Sequence, residues 1–194
     1  MILYPFPPGI PSGCGIAGFD EEKKAPAGEL YLLAPGEQPP AEFSGGHLFC
    51  EQPGCTDARL LQPVRTAAPD AHAVWCDTQI SGGELEPYLR GLLAVWGGRL
   101  WVCLAPIYML FPVPCPSGIG TPLPPDAAAM LAAQHPSHFS PELVCRYCFF
   151  LSETGQARVL LFDTKDTCRK KLALLRSLGV RQVFGPFPPA HADK

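Results

Sequence analysis

Proline and glycine set the strongest constraint on what this chain can fold into. The 194 residues include 24 prolines and 19 glycines. Because both residue types interrupt regular secondary structure, the helices and strands between them must be short and the loops long. Apolar residues make up 47% of the chain, which is enough to bury a core and excludes a chain that is disordered throughout. The length predicts one domain, residues 1–194.

Charge and hydropathy exclude two classes of partner. The net charge of −3 offers no basic surface for a nucleic acid. No apolar run approaches the roughly 20 residues that a membrane-spanning helix needs. The first residues, Met1–Pro8, lack the basic and apolar regions of a secretory signal. The chain has nine cysteines, an odd number, so they cannot all pair in disulfides within the chain. We therefore expect a cytoplasmic protein with free thiols and no cofactor, whereas the oligomeric state stays open.

Short apolar runs alternate with helical patterns along the chain. Residues 1–28 are expected to be irregular. The expected strands are Glu29–Ala34, His47–Cys50, His72–Cys76, Arg99–Ala105, Leu143–Leu151, Arg158–Phe162 and Val180–Phe184. The expected helices are Thr56–Ala68, a helix opened by a capping box at Ser81–Glu84, a short helix from Pro125 to Gln134, and Lys165–Leu178. The proline-dense stretch Pro106–Pro124 is expected to be a long loop.

Repeated strand–helix–strand units predict an α/β protein with a largely parallel sheet. An open, doubly wound nucleotide-binding sheet would carry a glycine-rich turn directly after a strand, and neither G-x-G-x-x-G nor a P-loop occurs in that position. The alternative is a (β/α) barrel of the TIM-barrel type, which typically needs about 250 residues. The sequence therefore favours a reduced or incomplete (β/α) barrel with long proline-rich loops.

Three acidic residues follow predicted strands: Glu51, Asp77 and Asp163. The carboxyl ends of barrel strands form the active site in that architecture, so we expect these residues to surround a common hollow. Glu51 and Asp77 are candidates for an acid and base pair. Asp163 precedes the last helix, where a carboxylate also stabilises the amino end, so a structural role is the alternative for it.

Aromatic, cysteine and histidine residues offer further candidates. Trp75 and Tyr108, with other strand aromatics, suit a saccharide-stacking groove, although strand aromatics more often belong to the core. Cysteines stand at or near the ends of three predicted strands. A C-x-x-C occurs at Cys145–Cys148, but no second pair has zinc-site spacing, which favours buried thiols. His135 and His138 lack an evident third ligand. We therefore expect no metal site.

The segment Arg158–Pro188 resembles the closing strand–helix–strand unit of the family 18 glycoside hydrolases, the chitinase-like barrels. Phe162-Asp163 matches the strand that ends in an acidic residue, and Gly179-Val180 matches the start of the last strand. Lys171 and the leucines Leu172, Leu175 and Leu178 match the intervening helix. The resemblance implies a barrel fold and an activity on saccharides.

The chain departs from that family at its catalytic signature, D-x-x-D-x-D-x-E. Asp77 matches the last aspartate, but Gln79 stands where the glutamate acid belongs, and an amide cannot deliver a proton. Phe187 stands near the place of the family's tryptophan, where it offers a stacking surface. The resemblance therefore implies a degenerate relative that binds a saccharide or another small ligand at the strand ends without turnover.

In this hypothesis the ligand-binding residues are Gln79, Trp75, Tyr108, Asp163 and Phe187. Two alternatives stay open. One is a glycan hydrolase that uses Glu51 and Asp77 as its acid and base. The other is a protein-interaction module that binds its partner through the proline-rich loops.

Overall fold

The structure, a computed structural model, describes residues 1–5, 15–23, 25–32, 46–49 and 60–185. The chain divides into two compact units. The first consists of residues 1–77, 90–104 and 175–194, and the second of residues 78–89 and 105–174. The single domain expected from the chain length stays a prediction.

Within the described residues of the first unit, eight strands form one sheet. They are β1 (Ile2–Pro5), β2 (Gly15–Asp20), β3 (Ala25–Leu32), β4 (His47–Phe49), β5 (Leu60–Pro63), β6 (Ala73–Asp77), β7 (Leu100–Cys103) and β13 (Gln182–Gly185). Their order is β1-β13-β7-β6-β5-β4-β3-β2, and β2 pairs again with β1, so the pairing closes on itself. Only the pairs of β2, with β1 and with β3, are antiparallel among these strands. The expected α/β class with a largely parallel sheet is confirmed.

The core of the first unit collects apolar side chains from five of these strands. Its buried members are Leu30, Leu61, Ala73, Trp101 and Phe184. The Phe184 ring contacts the Trp101 ring at 6.3 Å between centroids. Burial of such large side chains contributes about 1.5–3 kcal/mol each, which holds the short strands together.

The second unit contains a separate, antiparallel sheet of five strands. Its strands are β8 (Tyr108–Pro112), β9 (Thr121–Pro122), β10 (Ser137–Ser140), β11 (Cys145–Leu151) and β12 (Ala157–Phe162), in the order β10-β11-β12-β8-β9. The expected hairpin around residues 152–156 is confirmed, because β11 and β12 pair antiparallel on either side of it.

Alternation along β11 places successive side chains on opposite faces of this sheet. Cys148 packs with Ala128, Leu160 and Phe162 on one face. Cys145 packs with Ile107, Phe111 and Leu161 on the other. The two cysteines of the C-x-x-C therefore belong to different apolar clusters and are both buried.

Three α-helices occur among the described residues: α1 (Leu85–Trp96), α2 (Pro125–Ala133) and α3 (Lys165–Ser177). The amide groups of Gly179 and Val180 donate to the carbonyl groups of Arg176 and Leu175, and Gly179 has a φ of 76°. These two bonds form a Schellman motif that ends α3, as the glycine predicts.

Four sequence-based expectations are wrong. Residues 60–63 of the expected helix Thr56–Ala68 form β5, because Leu60 and Leu61 are buried in pairing with neighbouring strands. Strands β1 and β2 lie in the segment 1–28 that was expected to be irregular. The proline-dense stretch 106–124 contains β8 and β9 instead of forming one long loop. Helix α1 begins at Leu85, four residues after Ser81, so the capping box does not start it.

Candidate ligand-binding site

The second unit holds an open pocket of about 520 Å³ between α2 and one face of its sheet. This volume is within the range of small-molecule sites, which is about 300–1,000 Å³. The lining residues are Tyr108, Pro125, Asp126, Ala129, Ala132, Ala133, Ser137, Arg146, Phe162, Asp163 and Thr164. Two residues expected to bind a ligand, Tyr108 and Asp163, are therefore brought together here.

One row of side chains across the sheet forms the floor of this pocket. Arg146 of β11 is the register partner of Phe162 of β12, which is in turn the partner of Tyr108 of β8. Neighbouring strands lie about 4.8 Å apart, so the outer two residues of the row are separated by about 10 Å. The row places a cation at one end, a phenol at the other and an aromatic ring between them.

Helix α2 covers this row with small side chains. Pro125, Asp126, Ala129, Ala132 and Ala133 fall on one side of the helix, at the three- and four-residue spacing of its turns. Proline at the first position is suited to start the helix, because its ring fixes φ and it has no amide hydrogen. Because the alanine side chains are short, space remains between the helix and the sheet.

Arg146 is half-buried and is held in place by one residue. Its Nε donates to Ser137 Oγ at 3.1 Å, and one Nη donates to Ser137 Oγ at 2.8 Å and to the Ser137 carbonyl at 3.0 Å. A guanidinium has five donor hydrogens. Among the residues that the structure describes, the other Nη has no hydrogen-bond acceptor and no carboxylate pairs with this arginine.

Tyr108 supplies a hydroxyl group at the opposite end of the floor. Burial raises the pKa of this phenol, and the neighbouring Cys168 and Asp163 raise it further. The hydroxyl therefore keeps its proton and stays a donor at neutral pH. Within the described part of the chain no residue hydrogen-bonds to it.

Asp163 borders the pocket, but its carboxylate is occupied by protein donors. Oδ2 accepts from Lys171 Nζ at 2.6 Å and from the Ile107 amide at 2.8 Å, while Oδ1 accepts from Thr167 Oγ1 at 2.7 Å. The side chains of Asp163 and Lys171 are 0% and 1% exposed. The Asp163 carboxylate and the Lys171 ammonium neutralise each other, and either charge alone would be costly to bury.

The same cluster ties together the start of α3 and the end of β12. Thr164 Oγ1 accepts from the Thr167 amide, and Thr167 Oγ1 accepts from the Thr164 amide, which satisfies the first turn of the helix. Lys171 Nζ also reaches the Thr78 carbonyl at 3.4 Å. Thr167, Lys171 and Leu175 form the buried stripe of α3 at four-residue spacing. The structural alternative for Asp163 is thus well supported by its contacts.

The other carboxylate in the pocket, Asp126, is exposed in the first turn of α2. A carboxylate at this position favours the amino end of a helix. It also offers acceptor oxygens to hydroxyl groups of a ligand. Because Asp163 is held by three donors, Asp126 is the carboxylate on this wall that remains accessible.

The remaining predicted site residues lie elsewhere in the chain. Asp77 is half-buried at the end of β6, a strand of the parallel sheet, whereas Asp163 follows a strand of the antiparallel sheet. The two carboxylates therefore follow strands of different sheets and do not share one sheet edge. The expectation that they surround a common hollow stays a prediction. Glu51 and Phe187 lie outside the described residues, so the pairing of Glu51 with Asp77 stays a prediction.

Trp75 and Gln79 have structural contacts. Trp75 is half-buried against the core of the first unit, with its ring edge-on to Phe184 at 6.2 Å between centroids. Gln79 donates from Nε2 to the Pro106 carbonyl at 2.7 Å, although its side chain is exposed. Their roles in binding a ligand stay predictions.

The described cysteines are buried or half-buried, and two of the described histidines contact aromatic rings. The described cysteines are free thiols, and burial raises the pKa of Cys76 to about 12 and that of Cys145 and Cys168 to about 11. His135 stacks on Phe150 at 4.3 Å, and His138 contacts Tyr147. In the described ranges no three His, Cys, Asp or Glu residues gather in a way that could hold a metal ion.

Among the helices of the described ranges, none has the length and apolar character that a membrane span requires. The cytoplasmic location expected from the sequence stays a prediction.

Arg146 and Ser137 were missed by the sequence reasoning. The available signal was the charged residue inside the otherwise apolar run Cys145–Leu151, which is unusual for a strand with two covered faces. Ser137 gave no signal, because its strand was not predicted. The alanine side of α2 gave none either, because small residues in a helix do not by themselves indicate a cavity.

Comparison with known proteins gives matches to solved structures only. No protein-family model matches the chain, and no curated protein matches it. The structure of ydhD from Bacillus subtilis, described as a sporulation-specific glycosylase, matches with a TM-score of 0.51 and 12% identity over 71% of this chain and 52% of that chain. The chain thus spans about half the length of ydhD.

Two further structures match with lower scores. The spore cortex-lytic enzyme SleL of Bacillus cereus matches with a TM-score of 0.48 and 13% identity, over 59% of this chain and 30% of that chain. A chitinase from Chromobacterium violaceum matches with a TM-score of 0.45 and 12% identity, over 72% of this chain and 39% of that chain. At 12% identity the likeness to ydhD shows the fold alone: this chain has a fold similar to that of a protein described as a glycosylase.

Proposed function

We propose that this protein binds a saccharide or another small ligand in the pocket of the second unit, without turning it over. The observation that carries the proposal is the pocket itself, which combines an aromatic floor with the Tyr108 hydroxyl and the Arg146 guanidinium at its ends. Ligand sites in proteins combine apolar walls with a few polar groups in this way. The likeness of the fold to ydhD, a protein described as a glycosylase, favours a saccharide as the ligand.

The carboxylates of the pocket argue for binding rather than hydrolysis. Glycoside hydrolysis generally uses two carboxyl groups on either side of the scissile bond. Of the two carboxylates that line this pocket, Asp163 is buried and bonded to three donors, which leaves Asp126 alone. In the first unit, we interpret the closed strand order as a reduced (β/α) barrel of the kind the resemblance implies. Gln79 follows β6 in the sequence and stands where that resemblance places the catalytic acid.

The first test screens the whole protein on a glycan array. A glycan that binds is then titrated into the unsubstituted protein and into the Tyr108→Phe variant, and the two affinities are compared. Loss of one neutral hydrogen bond is worth about 0.5–1.5 kcal/mol, so we expect affinity to fall roughly two- to thirteenfold. The matched control is Tyr147→Phe, because Tyr147 packs on the other face of the same sheet. Absence of any bound glycan, or an equal effect of the two substitutions, would contradict the proposal.

The second test measures turnover on the same glycans by chromatography of the products. We expect no release of smaller saccharides. Release that disappears in Asp77→Asn would instead support the hydrolase alternative that uses Glu51 and Asp77.

A further inference from the structure

Within the pocket, the most unusual group is the positive charge of Arg146. Its guanidinium is half-buried, and in the described residues its hydrogen bonds go to Ser137 alone, through Nε and one Nη. An arginine that is largely removed from water commonly pairs with a carboxylate or a phosphate, because its planar donor group fits two oxygen atoms at once. Here both hydrogens of the second Nη remain without an acceptor from the described protein.

Ser137 fixes the direction of this guanidinium. Its hydroxyl and its carbonyl oxygen together accept three bonds, at 2.8 to 3.1 Å, from two nitrogens of the arginine. Ser137 and Arg146 lie on paired strands, β10 and β11, and both line the pocket. A charged donor that is already oriented loses less conformational entropy when a ligand binds, which strengthens the interaction.

The neighbouring charges leave the arginine effective as a cation. Asp163, the pocket carboxylate that follows β12, is neutralised by Lys171 at 2.6 Å. Asp126 lines the pocket from α2, but it is exposed and forms no ion pair with Arg146. The pocket therefore presents one uncompensated positive group on its floor and one accessible acceptor on the helix that covers it.

We infer that the ligand of this pocket carries a carboxylate, and that a carboxylated saccharide of the hexuronic acid class suits it best. This inference rests on the proposed function, because it specifies the ligand of the same site. The carboxylate pairs with the free donors of Arg146, the sugar ring lies over Phe162, and its hydroxyl groups reach Tyr108 and Asp126. The distance of about 10 Å across the floor accommodates one or two sugar rings.

The experiment compares glucuronate with its neutral analogue glucuronamide, using calorimetric titration of the full chain. The two probes have the same shape and differ in one charge. We expect glucuronate to bind at least about tenfold more tightly than the amide, as a charge-assisted hydrogen bond predicts. Acetate serves as a third probe: binding of acetate as tight as that of glucuronate would show a general anion site and overturn the saccharide assignment.

Substitution of Arg146→Gln identifies the group responsible. We expect it to weaken glucuronate binding about tenfold and to leave the affinity for glucuronamide nearly unchanged. The matched control is Arg158→Gln, because Arg158 belongs to β12 of the same sheet and bonds to Gln156 away from the pocket. The free energy of unfolding of each variant, measured in urea, separates lost binding from lost folding.

The outcomes distinguish this inference from the proposed function. If the array detects neutral glycans as well as uronates and Arg146→Gln binds both like the unsubstituted protein, the carboxylate inference fails while saccharide binding stands. If the array detects no glycan, the proposed function fails as well. A preference for glucuronate over glucuronamide that is lost in Arg146→Gln and kept in Arg158→Gln supports both the carboxylate inference and the proposed function.

Discussion

At the scale of single residues, the buried ion pair of Lys171 and Asp163 shows how this chain uses charge. Both side chains are almost fully excluded from solvent, and the carboxylate receives two further hydrogen bonds. A carboxylate in this setting stabilises the junction between β12 and α3 rather than reacting with a ligand. The sequence left the choice between a ligand-binding and a structural role open, because the burial of Lys171 cannot be inferred from its spacing alone.

Substitution of Lys171→Met tests this structural role. Removal of one partner leaves the other charge buried without compensation, so we expect a loss of about 3–5 kcal/mol in the free energy of unfolding. The matched control is Lys170→Met, because Lys170 is exposed and its contacts are an ion pair with Asp166 one turn away and a cation–π contact with the Phe139 ring. Exposed contacts of these kinds contribute little, so we expect that control to change stability by less than about 1 kcal/mol in urea denaturation. Similar losses in the two variants would contradict the assignment.

The buried cysteines predict a fall in stability at alkaline pH. Burial raises the pKa of the Cys145 thiol from 9.0 to about 11, so the unfolded chain releases this proton at a lower pH than the folded protein. Between those two pKa values the folded state binds more protons, and the free energy of unfolding therefore decreases as pH rises.

Urea denaturation at about pH 8 and about pH 10.5 measures this effect, since the second value lies inside that window. We expect Cys145→Ala to lose less stability between the two pH values than the unsubstituted protein loses. An equal loss in both proteins would show that this thiol does not contribute to the pH dependence.

At the scale of elements, the glycine that ends α3 was predictable and the sheet of the second unit was not. A glycine after a helical pattern is a local signal, and Gly179 adopts the positive φ that this signal implies. The strands β8, β9 and β10 depend instead on pairing with distant residues, such as Tyr108 with Phe162. These strands were not predicted, because the local propensity of the proline-rich sequence around them favours a loop.

Two glycine substitutions compare a glycine that ends a helix with a glycine inside one. Gly179→Ala places a side chain at a φ of 76°, and we expect it to cost about 1 kcal/mol. Gly91→Ala adds a methyl group to the exposed side of α1, where a Cβ atom would contact nothing within 4 Å. We expect that variant to gain up to about 1 kcal/mol, because alanine favours a helix more than glycine does. Thermal denaturation of both variants gives the sign, and stabilisation by Gly179→Ala would contradict the Schellman assignment.

At the scale of the whole molecule, the sequence predicted the fold class better than the site. Short continuous apolar runs such as the one in Ala73–Asp77 and the long helix α3 carried the α/β assignment, because these patterns are local. The pocket depends on the register of three strands and on the position of α2, which are tertiary properties. Tyr108 and Asp163 were nevertheless among the predicted residues, whereas Arg146 became a candidate only when its neighbours were known.

The central claim is that a ligand binds beneath α2, and the alanine methyl groups of that helix report on it directly. Ala129, Ala132 and Ala133 line the pocket, whereas Ala127 of the same helix and Ala94 of α1 do not. The most direct measurement is therefore an NMR titration of methyl-labelled protein with glucuronate and, separately, with a neutral glycan that the array detects. We predict saturable shifts of the three lining methyl groups and none at the two controls. Shifts confined to other residues, or no shifts at all, would contradict the account.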